Sequence, residues 1–402
     1  MTAAEFLERY ALTPESVDAP ACLEKLLADM HSGLSGEGNI PMIPSYLPLD
    51  IPAVSGMECC AVDAGGTNLR TARASFDSSG KCTLSQIRKM AMPGTCGELT
   101  SREFYGQLAE AIRQTGSPRQ VGLCFSYNVS LERSLDGILD AWCKEVRVPD
   151  APGKYVGASL QEALGQDCSR VHVLNDSTAA LLGAHSSDPK ITVGLILGTG
   201  INICYAEPCS AIPKLPSDIQ TGSMIISTEI GEFRGIPKNI FEERVIAASD
   251  DPMLAHGEKQ CAGAYLGQII CLAWQKAAQL KILPEAFSGN VTLPQISDYL
   301  AGRESGLPEH PDARMIAQTM IHRAAKIAAV LSAGAIVRSC PEGEQCTMVI
   351  EGSQFTKLTG FGSHFLQELE DILLPGKRSI AIAQVENSCL LGAAAAAFAE
   401  KM

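Results

Sequence analysis

The chain has 402 residues, 46% of them hydrophobic and 19% charged; at roughly 100–200 residues per domain, that predicts two or three domains whose cores need no disulfide or metal. Thirty-two Lys and Arg against 45 Asp and Glu give a net charge of −13 with no basic block, which argues against nucleic acid as a partner. The longest apolar runs, such as 327–337, fall short of the roughly 18–20 residues of a spanning helix, and residues 1–10 lack a basic start followed by an apolar run, so a membrane-bound or secreted protein is not expected.

Residues 1–35 read as two short helices interrupted near Pro14 and Pro20, with Leu23, Leu26 and Leu27 at helical spacing in the second. Residues 40–52 carry Pro41, Pro44, Pro48 and Pro52 and read as a connector rather than a helix or central strand. A strand, a glycine turn and a second, alternating strand follow over 58–76. A helix at 101–114 leads to an apolar strand at 121–126, a helical stretch near 161–165, and a strand–helix pair over 171–184. The strand 191–200 has a hairpin partner in 201–207. The second half is richer in helix, at 258–280, 312–338 and 391–402, with a strand at 347–353 that ends in a glycine turn. Strands alternating with helices indicate an α/β chain of two lobes. No internal repeat or low-complexity tail stands out. Fifteen cysteines, an odd number without a Cys-x-x-Cys pair, read as small core hydrophobes in a reducing compartment, the cytoplasm.

Three glycine turns carry candidate chemistry. In the first, a buried strand ends at Asp63 and turns through Gly65 and Gly66 into Thr67 and Asn68. Glycines let backbone N–H groups approach an anion, and the carboxylate could hold Mg²⁺ through water; an ordinary hairpin turn would use the same residues. Gly198, Thr199 and Gly200, with Asn202 beyond, form a second such turn, and Gly352 and Ser353 a third. Together they fit ATP in a cleft between lobes. Between them Asp176 follows a strand and precedes a helix. It reads either as a helix N-cap or as the carboxylate that accepts a hydroxyl proton in phosphoryl transfer.

Taken in order, VDAGGTNLR (62–70), FSYNVSLERSLDGILDAWCK (125–144), LNDSTAALLGA (174–184), LGTGIN (197–202) and STEIGEF (227–233) resemble the eukaryotic-type hexokinases and glucokinases. The likeness is closest over about 40–205 and recurs at 224–235, 257–267, 349–353 and 392–394. It implies a two-lobed, actin-like ATPase fold closing on a hexose, with residues 54–174 plus 388–402 as the small lobe, 175–387 as the large lobe, and 1–53 packed on the large lobe. It implies phosphorylation of a hexose, glucose foremost, at the 6-hydroxyl by Mg-ATP, in a monomer or homodimer. Asp176 would be the general base. Asn175, Asn202, Glu229 and Glu258 would bond the sugar hydroxyls from the large lobe, and Ser126, Cys143 and Lys144 from the small lobe, Lys144 also serving catalysis. The turns at Gly65–Asn68, Gly198–Gly200 and Gly352–Ser353 would hold ATP, with Asp63 near Mg²⁺.

The chain departs from the family pattern in places. Cys143 replaces a Thr, which predicts weaker sugar binding because a thiol is a poor donor. Glu145 replaces a Gly and Asn128 a Pro in the same loop. Where the family reads Glu-Asp-Gly-Ser-Gly-x-Gly-Ala-Ala, this chain has Asn387, Ser388, Cys389 and Leu390 after Glu386, so Ser388 and Leu390 are expected to add bulk toward the nucleoside. Glu351 replaces an Asp, and Ile230 a Trp beside Glu229. The alternative reading is a sugar-binding sensor with weak or absent kinase activity. ROK-type sugar kinases share the fold, but their zinc-binding cysteine cluster is missing here.

Overall fold

The computed structural model describes residues 1–52, 54–116, 119–142 and 146–400. Helices α1 (Ala3–Arg9) and α2 (Ala19–Leu34) start at the capping side chains of Thr2 and Asp18. The proline-rich connector contributes one short edge strand, β1 (Ile43–Pro44), as expected where prolines remove ladder donors.

A first sheet is built from β2 (Glu58–Ala64), β3 (Asn68–Phe76), β4 (Cys82–Ala91), β5 (Gln120–Phe125) and β8 (Arg170–Leu174). Helices α3 (Ser101–Arg113) and α4 (Val156–Leu164) and the hairpin β6 (Asn128–Leu131)–β7 (Gly137–Ala141) lie within its crossovers. Strand order is β4-β3-β2-β5-β8: β2, β3 and β4 form an antiparallel meander, then β5 and β8 add in parallel beyond β2.

Helix α5 (Asp176–Ser187) leaves this sheet and leads to β9 (Ile191–Leu197), β10 (Ile201–Pro208) and β11 (Ser223–Ser227). Five helices follow: α6 (Ile240–Ala247), α7 (His256–Cys261), α8 (Gly263–Gln279), α9 (Leu293–Leu300) and α10 (Pro311–Ser339). The chain ends with β12 (Gln345–Glu351), α11 (Ser353–Lys357), α12 (Phe361–Leu373), β13 (Ser379–Ala383) and α13 (Ser388–Ala396). The second sheet runs β1-β11-β10-β9-β12-β13, with β9–β11 antiparallel and β12 and β13 parallel to β9. Apart from β1, this is the topology of the first sheet again. In each, a helix follows the fifth strand, α5 in one and α13 in the other.

Those two helices pack against each other through small residues. A Cβ on Gly392 would lie 1.9 Å from the Ala179 carbonyl oxygen, and one on Gly183 would lie 1.9 Å from that of Ser388. Ala179, Ala180, Ala393 and Ala394 surround the contact, all fully buried.

Several elements differ from the sequence expectation. Strand β4 is largely exposed, and its charged, polar sequence hides the alternation; a left-handed Gln86 (φ 51°) and the basic Arg88 and Lys89 protect this sheet edge. The single helix expected at 258–280 is two, broken at an extended Ala262. There the Gly263 and Ala264 N–H groups donate to the carbonyls of Gly198 (2.9 Å) and Thr199 (3.1 Å) instead of continuing α7. The final helix starts at Ser388 rather than 391 and ends at Ala396 rather than running on to 402. Helix α10 is long and apolar enough to cross a membrane by length and composition, contrary to expectation, but 83% of its most apolar window is buried in the molecule. Here it is a core helix, packed against α2 and α12 among others.

Candidate active site

The ends of β8, β10 and β11 and the first turns of α5 and α7 bring the large-lobe candidates together. Asn175, not Asp176, is the N-cap of α5: its Oδ1 accepts from the Ser177 N–H (2.9 Å) and hydroxyl (2.8 Å). Capping engages the oxygen of Asn175, so a sugar would meet its amide nitrogen. Asp176 is the first helical residue, and its Oδ1 also accepts from the Ser177 N–H (2.8 Å). Both residues are partly exposed, whereas Ser177 behind them is fully buried.

Asn202 is saturated inside the protein. Its amide nitrogen donates to Ser227 Oγ (3.0 Å) and Glu229 Oε1 (2.6 Å), and its oxygen accepts from the N–H groups of Ile203 (2.8 Å) and Glu229 (3.0 Å). All four of its hydrogen-bonding positions are filled, so in this arrangement Asn202 orients Glu229. Glu229 has a left-handed backbone (φ 55°, ψ 47°), uncommon for a residue with a side chain, and the Asn202 clamp accounts for its persistence. Burial raises the Glu229 carboxyl, as does the charge of Asp176, while the Ser227 hydroxyl (2.9 Å) opposes the rise.

Glu258 comes from the first turn of α7 and accepts the Ile201 N–H at 3.0 Å. A Cβ on Gly200 would lie 2.4 Å from its carboxylate, so the absent side chain of this turn glycine makes room for Glu258. Burial, aided by the charges of Glu229 and Glu232, pushes Glu258 up to about 7 against the pull of the Ile201 N–H. Three residues here escaped the sequence reading. Ser227 joins Asn202 and Glu229. Glu232 caps the Ala255 N–H (2.9 Å). Lys259 is fully buried, its ammonium satisfied by the carbonyls of Asp251 (2.6 Å) and Leu254 (3.0 Å) and the Asp251 carboxylate (2.8 Å). Lys259 thereby pins the loop before α7. Only its adjacency to Glu258 could have flagged it.

The turns expected to hold phosphates lie at strand ends. Thr67, Asn68, Thr199, Gly352 and Ser353 are exposed. The first turn is braced by Tyr127, whose hydroxyl donates to the Gly65 carbonyl at 2.7 Å, and by Ser126, whose N–H donates to the Ala64 carbonyl at 3.1 Å. The second and third turns touch: a Cβ on Gly352 would lie 2.3 Å from the Leu197 carbonyl oxygen and 2.9 Å from the Gly198 nitrogen. Gly352 also has a positive φ (119°), so glycine is required there on both counts. Gln354 ties this turn to the α7–α8 break through a 2.6 Å bond to the Cys261 carbonyl.

Asp63, the next-to-last residue of β2, is nearly buried, and its Oδ2 accepts from Arg70 at 2.6–2.8 Å. Among the described residues no three His, Cys, Asp or Glu side chains form a metal site. One carboxylate beside a glycine turn nevertheless fits Mg²⁺, which keeps much of its hydration and takes other ligands from phosphate oxygens. Arg70, quoted in the motif but given no role there, also reaches Asn387 Oδ1 (3.4 Å) at the start of α13.

The expected bulk toward the nucleoside is not observed. Ser388 and Leu390 are fully buried, Ser388 bonded to Glu351 and Leu390 packed into the core beside α5. Ile230 is likewise a core residue. Cys143, Lys144 and Glu145 lie outside the described residues.

With the geometry in place, comparison with known proteins gives a consistent result. Family models described as hexokinase match residues 2–186 and residues 192–303 and 310–399. Hexokinase-2 of Candida albicans is 28% identical over 98% of this chain and 91% of its own length. Hexokinase-7 of Oryza sativa subsp. japonica is 30% identical over 77% of this chain and 72% of its own. A hexokinase from Schistosoma mansoni, solved in complex with glucose, superposes with a TM-score of 0.82 over 99% of each chain at 21% identity.

Proposed function

This chain belongs to the hexokinase family, and from that premise we propose that it transfers the terminal phosphoryl group of Mg-ATP to the 6-hydroxyl of a hexose, glucose foremost, with Asp176 as the general base. The enzyme is a hexose phosphotransferase of the two-lobed, actin-like sugar-kinase fold. The observation that carries the mechanism is the gathering of Asp176, Asn175, Glu229 and Glu258 at one place: Ser177 bonds Asn175 and Asp176, Ser227 and Asn202 bond Glu229, and Glu258 accepts from Ile201 beside Asn202. A hexose presents a ring of hydroxyls, which carboxylates and amides can accept from and donate to. Such a site rejects analogues that lack a hydroxyl, because a buried partner would be left unpaired.

In the proposed reaction the 6-oxygen forms a bond to the terminal phosphorus while the bridging oxygen departs with ADP. The hydroxyl proton passes to the Asp176 carboxylate. Asn202 and Ser227 hold Glu229, and Lys259 and Glu232 hold the approach to Glu258, so the acceptors are in place before substrate arrives. Asp63 would hold Mg²⁺ through water, where the ion neutralises charge on the phosphates. Arg70 adds a fixed positive charge beside the same turn. The cytoplasm is proposed as its compartment on the sequence alone, from fifteen cysteines in an odd number without a Cys-x-x-Cys pair.

The test is ADP release from Mg-ATP with glucose, fructose, mannose and glucosamine, in wild type and in Asp176→Asn. The expected result is hexose-dependent turnover that falls roughly 10²–10⁴-fold in the variant, while glucose still raises its Tm. If no hexose supports turnover although glucose raises Tm, the reading is overturned in favour of a sugar-binding sensor.

A further inference from the structure

We propose that Ser388 and Glu351 are positioning residues for the phosphoryl donor: their hydrogen bond holds the third turn, Gly352–Ser353, in register with the start of α13 and, through Asn387 and Arg70, with the first turn. The proposal rests on the reading of the three turns as a nucleotide site.

The link can be followed residue by residue. The Ser388 hydroxyl, which has no exposure, donates to the carboxylate of Glu351, the last residue of β12. The preceding residue, Asn387, stands in a left-handed conformation (φ 56°) and accepts from Arg70 Nη1. Arg70 grips Asp63 near the end of β2. On its other side, the third turn is already locked to the second by the backbone contact of Gly352 with Leu197 and Gly198, and by Gln354 bonded to the Cys261 carbonyl. Residues 387–388 therefore join turns that belong to two different sheets.

A hydroxyl bonded to a carboxylate is directional, and Ser388, which is fully buried while Glu351 is partly exposed, is costly to leave unpaired. The bond thus resists drift of the Gly352 turn relative to α13. Both residues also depart from the family pattern, which has Gly and Asp at these positions. A glycine at 388 has no hydroxyl to offer, and Glu351 carries one methylene more toward α13. The two departures are joined by one hydrogen bond, with Ser388 facing inward.

Wild type, Ser388→Ala, Glu351→Ala and the double variant are compared by Mg-ADP thermal shift, KM for Mg-ATP and KM for glucose. Each single change is expected to weaken nucleotide binding on the order of tenfold. Glucose KM should stay within about twofold, and the double variant should be no worse than the weaker single, because both remove the same bond. Glu351→Gln, which still accepts the hydroxyl, should keep most of the affinity. If Ser388→Ala does not fold, the contrast between Glu351→Ala and Glu351→Gln carries the test. Unchanged Mg-ADP binding in the single variants, additive losses in the double, or a parallel loss of glucose affinity would overturn the proposal. A wild-type protein that binds glucose but shows no Mg-ADP shift would refute the nucleotide reading beneath it, and the proposal with it.

Discussion

Glu258 shows how much a residue's chemistry depends on its neighbours. Three carboxylates, Glu229, Glu232 and Glu258, share this end of the cleft, and Lys259 is the opposing charge beside them. Burial lifts Glu258 from its ordinary 4.5 to about 7, so between those values the folded protein holds a proton that the unfolded chain has released. Stability from this group is therefore greatest at low pH and falls as pH rises toward 7, after which the cost is constant. Glu258→Gln, always neutral, should raise Tm more at pH 8 than at pH 5. Sugar binding runs the other way, since the ionised carboxylate is the better acceptor. Wild-type sugar KM should rise below pH 7 by up to about tenfold per unit, and in Glu258→Gln it should be higher at pH 8 and much flatter with pH. Equal Tm gains at both pH values, or an unchanged KM slope, would contradict this account. The sequence supplied the glutamate. It could not supply its state, because Ile201 and Glu229 reach it only through the fold.

At the scale of elements, α5 and α13 pack together through Gly183 and Gly392, and α5 opens with Asp176 of the candidate site. The approach is backbone to backbone, so an added methyl has nowhere to go. Gly392→Ala, placed 1.9 Å from the Ala179 carbonyl oxygen, should destabilise the protein by about 1–3 kcal/mol through overpacking. The measurement is urea unfolding against wild type, and a neutral result would mean the helices can separate freely. The alanine-rich end was read from sequence as a helix over 391–402, and the structure has a helix there over Ser388–Ala396. Its start was placed three residues late, because Ser388 and Cys389 do not look like helix interior. They are held there by Glu351 and by the carbonyl of Asp176 (3.8 Å from Cys389 Sγ). Strands β11 and β13 were missed for a related reason: they are short, and only their pairing partners make them strands.

Across the whole molecule, one topology appears twice. The first and second glycine turns are the β2–β3 and β9–β10 connections of equivalent meanders, and Asp176 and Ser388 open equivalent helices. Two such halves meet along α5 and α13, and closure of the cleft about that contact is the movement to test. Arg133, beside the β6–β7 turn, pairs with Asp218 of the segment before β11. Both are exposed, so solvent screens the pair and it is no latch. Closure should instead be driven by the sugar. Glucose at about 100-fold its Kd should stabilise the protein by about 2.7 kcal/mol and reduce the radius of gyration in X-ray scattering. Stabilisation without compaction would rule out closure on the sugar alone.

The sequence by itself determined the order of the motifs, the three glycine turns and the identity of the acidic and amide residues, because each is written in contiguous residues whose local chemistry is self-evident. Only the tertiary structure decided what those residues touch. Asn202 clamps Glu229 across 27 positions, Ile201 meets Glu258 across 57, and Ser388 meets Glu351 across 37. The inward aim of Ser388 and Leu390, the break between α7 and α8, and the repeated sheet follow from packing between distant segments, where side-chain direction is set by what fills the space opposite and local sequence carries no record of it.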